Sequence, residues 1–177
     1  MRLVAILSIL LTAGILCAWA ALAQDAASLV TKPKKPCQIE EHRQFDFWIG
    51  DWEVFSPNGQ RAGTNRIEAK LGGCVLHEHW SGNGGSIGES FNMYDGTRGV
   101  WHQTWVDNQG TLLTLEGGLK DGAMVLEGET VSGGDTVHHR VTWTPNADES
   151  VRQHWQSSKD GKTWTTSFDG KYVRREK

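Results

Sequence analysis

The sequence predicts an all-β protein that folds as an antiparallel up-and-down barrel of about ten strands. From Phe45 onward, apolar residues recur at every second position, which is the repeat of a strand with one buried face. Turn dipeptides such as Asn58-Gly59, Asp121-Gly122 and Asp169-Gly170 separate these runs and suit tight hairpins. No run has a helical repeat long enough to connect parallel strands.

The N-terminus has the pattern of a secretory signal peptide over residues 1–23. A single cation, Arg2, precedes an apolar run from Leu3 to Trp19, and Ala21-Leu22-Ala23 matches a small-residue cleavage site. The apolar run is at the lower limit for a membrane-spanning helix, so a retained anchor is the alternative to cleavage. Export predicts a periplasmic or secreted protein with no membrane contact after the signal is cleaved.

Residues 24–44 form a polar leader with Lys32-Pro33-Lys34-Lys35-Pro36 at its centre. We expect this leader to be irregular, although good helix formers allow a helical turn between Cys37 and Arg43. We expect residues 45–177 to form a single β-barrel domain, because the 154 residues that remain of the 177 after removal of residues 1–23 fit one domain and leave no room for a second.

The strands between the turns are compatible with two architectures. Hairpins that join successive strands favour the up-and-down barrel, whose closure leaves no exposed strand edge. A β-sandwich is the alternative, since it also builds a core from short antiparallel strands.

Two cysteines, Cys37 and Cys74, remain after signal cleavage. An isolated pair in an oxidising compartment is more often a disulfide than a reactive site, so we expect a bond; two separate thiols are the alternative.

The formal charge is -3, and -4 once Arg2 is removed with the signal. This weak acidity does not indicate a nucleic-acid or anionic-membrane partner, and we expect a monomer.

Tryptophan is unusually frequent, and three of the indoles share a spacing. Glu78-x-Trp80, Gln103-x-Trp105 and Gln153-x-Trp155 each place a polar side chain and an indole on the same face of a strand. If that face lines the barrel interior, the result is an apolar cavity with a few converging polar groups, as in small-molecule pockets. We therefore predict a ligand-binding site for a small apolar or amphipathic molecule, formed by Glu78, Trp80, Gln103, Trp105, His139, Trp143, Gln153 and Trp155.

Two other functions fit the same residues. In the first, the tryptophans fill the barrel and the polar groups bond one another, so that the protein acts through its outer face as a periplasmic interaction or structural module. In the second, the barrel is an enzyme that uses Glu78 as a general base. We predict no specific catalytic residue from the sequence.

The opposite face of the strands carries several histidines, His77, His79 and His102 among them. His77-x-His79 has a spacing that zinc can use, but no motif ties a third ligand to it, so we expect surface histidines and no metal site. Gly84-Gly85-Ser86-Ile87-Gly88 matches the letters of a serine-hydrolase motif. It lacks the preceding strand and following helix of that motif, so we interpret it as a loop.

Four blocks of the chain resemble a family of secreted bacterial proteins of unknown function that is thought to be calycin-like. They are FDFWIGDW at 45–52, GGCVLHEHW at 72–80, YDGTRGVWHQTWVDNQG at 94–110 and RQHWQSSKDGKTWTTSFDGKYVR at 152–174. Gly50-x-Trp52 within the first block also resembles the glycine-x-tryptophan signature of lipocalins, in which the indole plugs one end of the barrel.

This resemblance implies a lipocalin-like or nitrobindin-like barrel and brings no established activity or catalytic residues. A nitrobindin-type haem would need an axial histidine, and in the expected register only His139 faces inward. We therefore expect no cofactor.

Overall fold

The computed structural model describes residues 36–175 and confirms the all-β barrel. The predicted signal peptide and the leader up to Lys35 lie outside the described residues. Among the residues that are described, no helix combines the length and apolar character that a bilayer span requires. The ten strands are β1 (Gly50–Phe55), β2 (Arg61–Lys70), β3 (Val75–Gly82), β4 (Ile87–Asp95), β5 (Val100–Asp107), β6 (Leu112–Lys120), β7 (Ala123–Ser132), β8 (Asp135–Pro145), β9 (Val151–Ser158) and β10 (Thr165–Arg174).

Every strand pairs antiparallel with its neighbours in sequence, and β1 pairs with β10 to close the barrel. At the closure Trp52 lies opposite Arg174 and Val54 opposite Tyr172. The sheet therefore has no free edge, and the sandwich alternative is wrong.

The turn dipeptides mark most hairpins correctly, with one exception. Asp121 and Gly122 both have positive φ, at 50° and 81°, as a tight two-residue hairpin requires. Asp169-Gly170, which the sequence suggests as a turn, lies inside β10 instead. A Cβ at Gly170 would come within 2.7 Å of the Phe168 ring and 2.9 Å of Val54, so this glycine is there for close packing.

Two short 3-10 helices, Glu40–Arg43 and Asp46–Trp48, close one end of the barrel. They bring Phe45 and Trp48 inside, where the two rings stack 5.0 Å apart and both contact Trp143. All three side chains are fully buried. The described part of the leader thus contains the helical turn that its composition allows, and the barrel wall begins at Gly50.

The two 3-10 helices, with Phe45 and Trp48, form an aromatic plug. Trp52 and Arg174 connect this plug to the barrel wall. The Trp52 indole donates a hydrogen bond to the carbonyl of Trp48 at 2.9 Å, and the Arg174 guanidinium lies 4.4 Å above the indole ring. Arg174 also donates to the carbonyl of Ile49 at 3.1 Å. The first strand, the last strand and the plug are therefore held together by a cation-π contact and two hydrogen bonds.

The predicted disulfide between Cys37 and Cys74 is present, with the two Cα atoms 5.1 Å apart. It links the segment before the plug to the loop between β2 and β3, across a sequence separation of 37 residues. Arg43 reinforces this link by donating to the carbonyl of Gly73. On the chain-entropy model, a closed loop of this size stabilises the fold by about 4 kcal/mol.

Candidate functional site

A cavity of about 420 Å³ lies in the half of the barrel opposite the aromatic plug. Two of its lining residues, Ser56 and Ser86, belong to the β1–β2 and β3–β4 loops, so the cavity extends toward the end where these loops lie. Side chains fill the plugged half of the barrel but leave this half open. The cavity is lined by Ser56, Ala62, Glu78, Trp80, Ser86, Gln103, Trp105, Leu113, Val141, Gln153, Trp155, Ser167, Phe168 and Tyr172.

Glycines on neighbouring strands let the indoles lie along the cavity wall. A Cβ at Gly88 would come within 2.2 Å of the Trp105 ring, and one at Gly63 within 2.9 Å of the Trp80 ring. The Trp80 indole also donates a hydrogen bond to the Ser86 hydroxyl at 3.2 Å. The rings therefore occupy space that larger residues would fill, and the centre of the barrel stays open.

Glu78 is the centre of a buried hydrogen-bond network on one side of the cavity. The Asn65 amide donates to its Oε1 at 2.7 Å, and the Ser90 hydroxyl donates to its Oε2 at 2.5 Å. Asn92 donates to the Ser90 oxygen at 2.8 Å, and Gln103 donates to Asn92 Oδ1 at the same distance. Donors from β2 and β4 thus converge on one carboxylate, and Gln103 extends the network to β5.

Tyr172 extends the network beyond Asn65 to Gln153. The Asn65 amide lies 3.4 Å from the Tyr172 hydroxyl, which in turn donates to Gln153 Oε1. Both Tyr172 and Gln153 face the cavity. The polar wall therefore runs from β2 through β5 and is continued by β9 and β10, whereas Leu113 and Val141 form an apolar wall on β6 and β8.

Burial raises the pKa of Glu78 from its ordinary value of 4.5 to about 7, although the hydrogen bonds from Ser90 and Asn65 favour the charged form. No cation among residues 36–175 contributes to this pKa. Burial, together with the negative charge of Glu78, raises the pKa of Tyr172 well above its usual 10. Near neutral pH, Glu78 can therefore exchange a proton while Tyr172 stays neutral.

His139 positions one of the cavity indoles. Trp155 donates its indole N–H to His139 Nδ1 at 3.1 Å, and His139 Nε2 lies 2.8 Å from the Thr130 hydroxyl. Because an indole can only donate, Nδ1 must accept and Nε2 must carry the proton. Burial, and secondarily the neighbouring His138, lower the pKa of His139, which favours this neutral tautomer.

The structure brings together six of the eight residues that the sequence predicts for the ligand site. Glu78, Trp80, Gln103, Trp105, Gln153 and Trp155 all line the cavity. His139 lies behind Trp155 and holds its indole. Trp143 lies in the plugged half, where it packs against Phe45 and Trp48.

Sequence reasoning missed four members of the network: Asn65, Ser90, Asn92 and Tyr172. A signal for two of them exists on β4, where the usual alternation is reversed. Ser90 and Asn92 are buried, whereas Phe91 is 54% exposed and Met93 43% exposed. Polar residues on the inner face of a strand indicate a buried polar layer, since each must find a partner there.

Comparison with known proteins assigns no family to the chain. No protein-family model matches it, and no curated protein is significantly similar to it. The cavity and the residues that line it therefore carry the functional inference.

Proposed function

We propose that this protein binds a small, partly apolar molecule inside the barrel. The observation that carries the proposal is a cavity of about 420 Å³ with indoles around it and a buried, hydrogen-bonded carboxyl in its wall. Pockets for small molecules typically have volumes of about 300–1,000 Å³ and combine apolar lining with a few converging polar groups. The cavity matches that description in both size and composition.

The two walls indicate how a ligand would be oriented. Its apolar part packs against Leu113, Val141 and the indoles, and its polar part faces Glu78 and Gln103. The polar wall among the described residues is rich in acceptors and has no cation in contact with Glu78. This wall suits a neutral or cationic ligand that carries a hydroxyl or amine donor better than it suits an anion.

We further propose that the barrel is calycin-like and works outside the cytoplasm, as a monomer in the periplasm or as a secreted protein. The burial of Trp52 at the plugged end supports the resemblance of Gly50-x-Trp52 to the lipocalin signature. The Cys37–Cys74 disulfide supports an oxidising compartment, which agrees with the predicted signal peptide. A closed barrel also offers no free strand edge for pairing with a second copy.

The proposal predicts that a bulky substitution at Leu113 blocks binding. We expect the neutral fluorophore N-phenyl-1-naphthylamine to bind the native chain, with its emission rising on entry into the cavity. Leu113→Trp places an indole inside the cavity and should weaken binding ~tenfold or more. Leu112→Trp is the matched control, because the neighbouring Leu112 is 61% exposed on the outer face, and it should leave affinity unchanged.

Probe emission, not intrinsic tryptophan emission, is measured, since both variants add an indole. Circular dichroism establishes that both variants retain the native β structure. Equal affinity of the probe for the native chain and the Leu113→Trp variant would show that the probe binds elsewhere. A native chain that binds neither this probe nor other neutral apolar molecules would contradict the proposal.

A second candidate function is proton transfer with Glu78 as general base. The specific observation in its favour is a cavity-lining carboxyl whose pKa is about 7, because a general base is most effective when its pKa lies near the working pH. Among the described residues, Glu78 is the only carboxyl group that lines this cavity. Small cyclic ketones, which carry exchangeable protons next to a carbonyl, are suitable test substrates.

We expect the native chain to catalyse deuterium exchange at these carbon atoms in D₂O, as measured by NMR. Glu78→Gln removes the base and should reduce the rate by ~100-fold or more. Glu129→Gln, at an exposed position on β7, should have no effect. Exchange no faster than in buffer alone would remove this candidate and leave the binding proposal intact.

A further inference from the structure

Two histidines and two carboxylates meet on the outer surface of the barrel, away from the cavity. His77 and His79 point outward from β3, with Glu89 beside them on β4 and Glu68 beside them on β2. His77 Nε2 lies 2.8 Å from Glu89 Oε2, and His79 Nδ1 lies 3.7 Å from Glu89 Oε1. We propose that His77, His79 and Glu89 form a binding site for a divalent transition-metal ion of the zinc type.

The ligand set and its spacing fit this ion. Zinc binds imidazole nitrogen and carboxylate oxygen at about 2.0–2.2 Å, so tetrahedral ligand atoms are roughly 3.3 Å from one another. One ligand atom from each of the three residues lies within 4.8 Å of the other two. Small side-chain rotations therefore suffice to surround an ion. Three protein ligands leave a fourth position for water, an arrangement common in zinc sites that are open to solvent.

The surrounding residues already orient both imidazole rings. Glu68 Oε2 lies 3.5 Å from His79 Nε2, so a metal bound at Nδ1 leaves the opposite ring N–H directed at a carboxylate. The His77 ring stacks on Phe91 at 4.4 Å with an angle of 16° between the planes. A carboxylate beside the opposite ring nitrogen favours the tautomer that leaves the ligating nitrogen free for a metal.

Two neighbouring cations are engaged with carboxylates. Arg66 lies opposite His79 on β2 but pairs with Asp51 at 2.7 Å, and Lys70 pairs with Glu68 at 3.1 Å. The His77 and His79 rings lie 3.9 Å apart, so both imidazoles can reach the same ion.

Other histidine–carboxylate contacts on the described surface lack this geometry. His102 contacts Glu116 at 3.1 Å and His138 contacts Glu129 at 2.9 Å, each with a single imidazole. Glu116 also forms an ion pair with Arg98. Among residues 36–175, the cluster on β3 and β4 is the one in which three potential ligands meet.

The proposed metal site is physically separate from the ligand cavity. Glu78 lies between the two histidines in sequence and points inward, so the ion and the cavity ligand would be on opposite sides of β3. A groove lined by Asp51, Arg66, Glu68, His79 and Arg175 runs beside the site. A bound ion would therefore remain accessible from solvent.

Zinc binding to the full chain, after dialysis against a chelator, tests the proposal by competition with a zinc-sensitive chelating dye. We expect one Zn²⁺ per chain. His79→Gln and Glu89→Gln each remove a ligand and should weaken binding ~100-fold or more, while Glu68→Gln should weaken it about tenfold by releasing the His79 ring. His154→Gln is the matched control, because His154 is an outward-facing histidine on β9 bonded to Thr166, and it should change nothing.

His79→Cys supplies a different zinc ligand at the same position and should retain binding, which separates ligand loss from damage to the fold. Circular dichroism and the thermal midpoint verify that each variant is folded. The proposal is overturned if the native chain retains no zinc against the dye. It is equally overturned if His79→Gln and Glu89→Gln bind as tightly as the native chain, or if His154→Gln abolishes binding.

Discussion

Replacing Trp48 with alanine should destabilise the barrel by about 3–5 kcal/mol. Its indole is fully buried in the plugged end, where it contacts Phe45, Trp143 and Tyr172. Removing it leaves a void that these three rings cannot fill without losing their contacts to one another. Since a domain of this kind is stable by only about 5–15 kcal/mol, the loss is a large fraction of the total. Urea denaturation followed by circular dichroism measures it.

Trp80→Ala provides the matched comparison at the open end. Trp80 is only partly buried and one side of its ring faces the cavity, so its removal should cost about 1–2 kcal/mol. The difference between the two losses of unfolding free energy measures how much more tightly the plugged half of the barrel is packed than the open half. Equal losses would mean that the open half is as tightly packed as the plugged half.

Glu78→Gln should remove a pH dependence of stability worth about 3 kcal/mol. In the folded protein the pKa of Glu78 is about 7, compared with 4.5 as its ordinary value. Between these two pH values the unfolded chain has released the proton and the folded chain still holds it. The contribution of Glu78 is therefore complete below pH 4.5 and is lost progressively as the pH rises to about 7.

The difference between the native chain and Glu78→Gln isolates this effect. His139 acts in the opposite direction, because its lowered pKa makes the fold less stable as the pH falls below 6.5. Both proteins contain His139, so its contribution cancels when their unfolding free energies are subtracted. We expect the unfolding free energy of Glu78→Gln to rise relative to that of the native chain between pH 5 and pH 8. A difference that stays constant over this range would contradict the raised pKa.

The inward-facing residues of a strand could be predicted from the sequence where that strand carries a tryptophan. Glu78, Gln103 and Gln153 lie two residues before an indole, and strand alternation then fixes their direction. On β4 no indole is present, and the exposed Phe91 and Met93 resemble a buried face. Hydrophobicity alone assigns the wrong face there, because the inner face of this strand carries polar side chains. Ser90 donates to Glu78, and Asn92 donates to Ser90.

The rest of the site depends on contacts between distant parts of the chain. Asn65 and Tyr172 are 107 residues apart, and only barrel closure brings them within hydrogen-bond distance of each other. Likewise, His77 and His79 could be recognised as a pair from their spacing, but Glu89 joins them through the register of β3 with β4. A single sequence gives alternation within a strand and does not give the register between strands.

The contacts that join Arg174 to Trp52 and Ile49 form late in folding, because they need both ends of the barrel wall. Arg174 bonds to a residue 125 positions earlier, and the wall closes only when β10 meets β1. Nine hairpin contacts can form locally, but this last pairing carries a large loop-closure entropy and makes folding slow relative to helical proteins of similar size. Until then β1 and β10 each expose an unpaired edge. The pairing of β10, residues 165–174, with β1 therefore determines whether the nascent domain forms a closed barrel or remains an aggregation-prone open sheet.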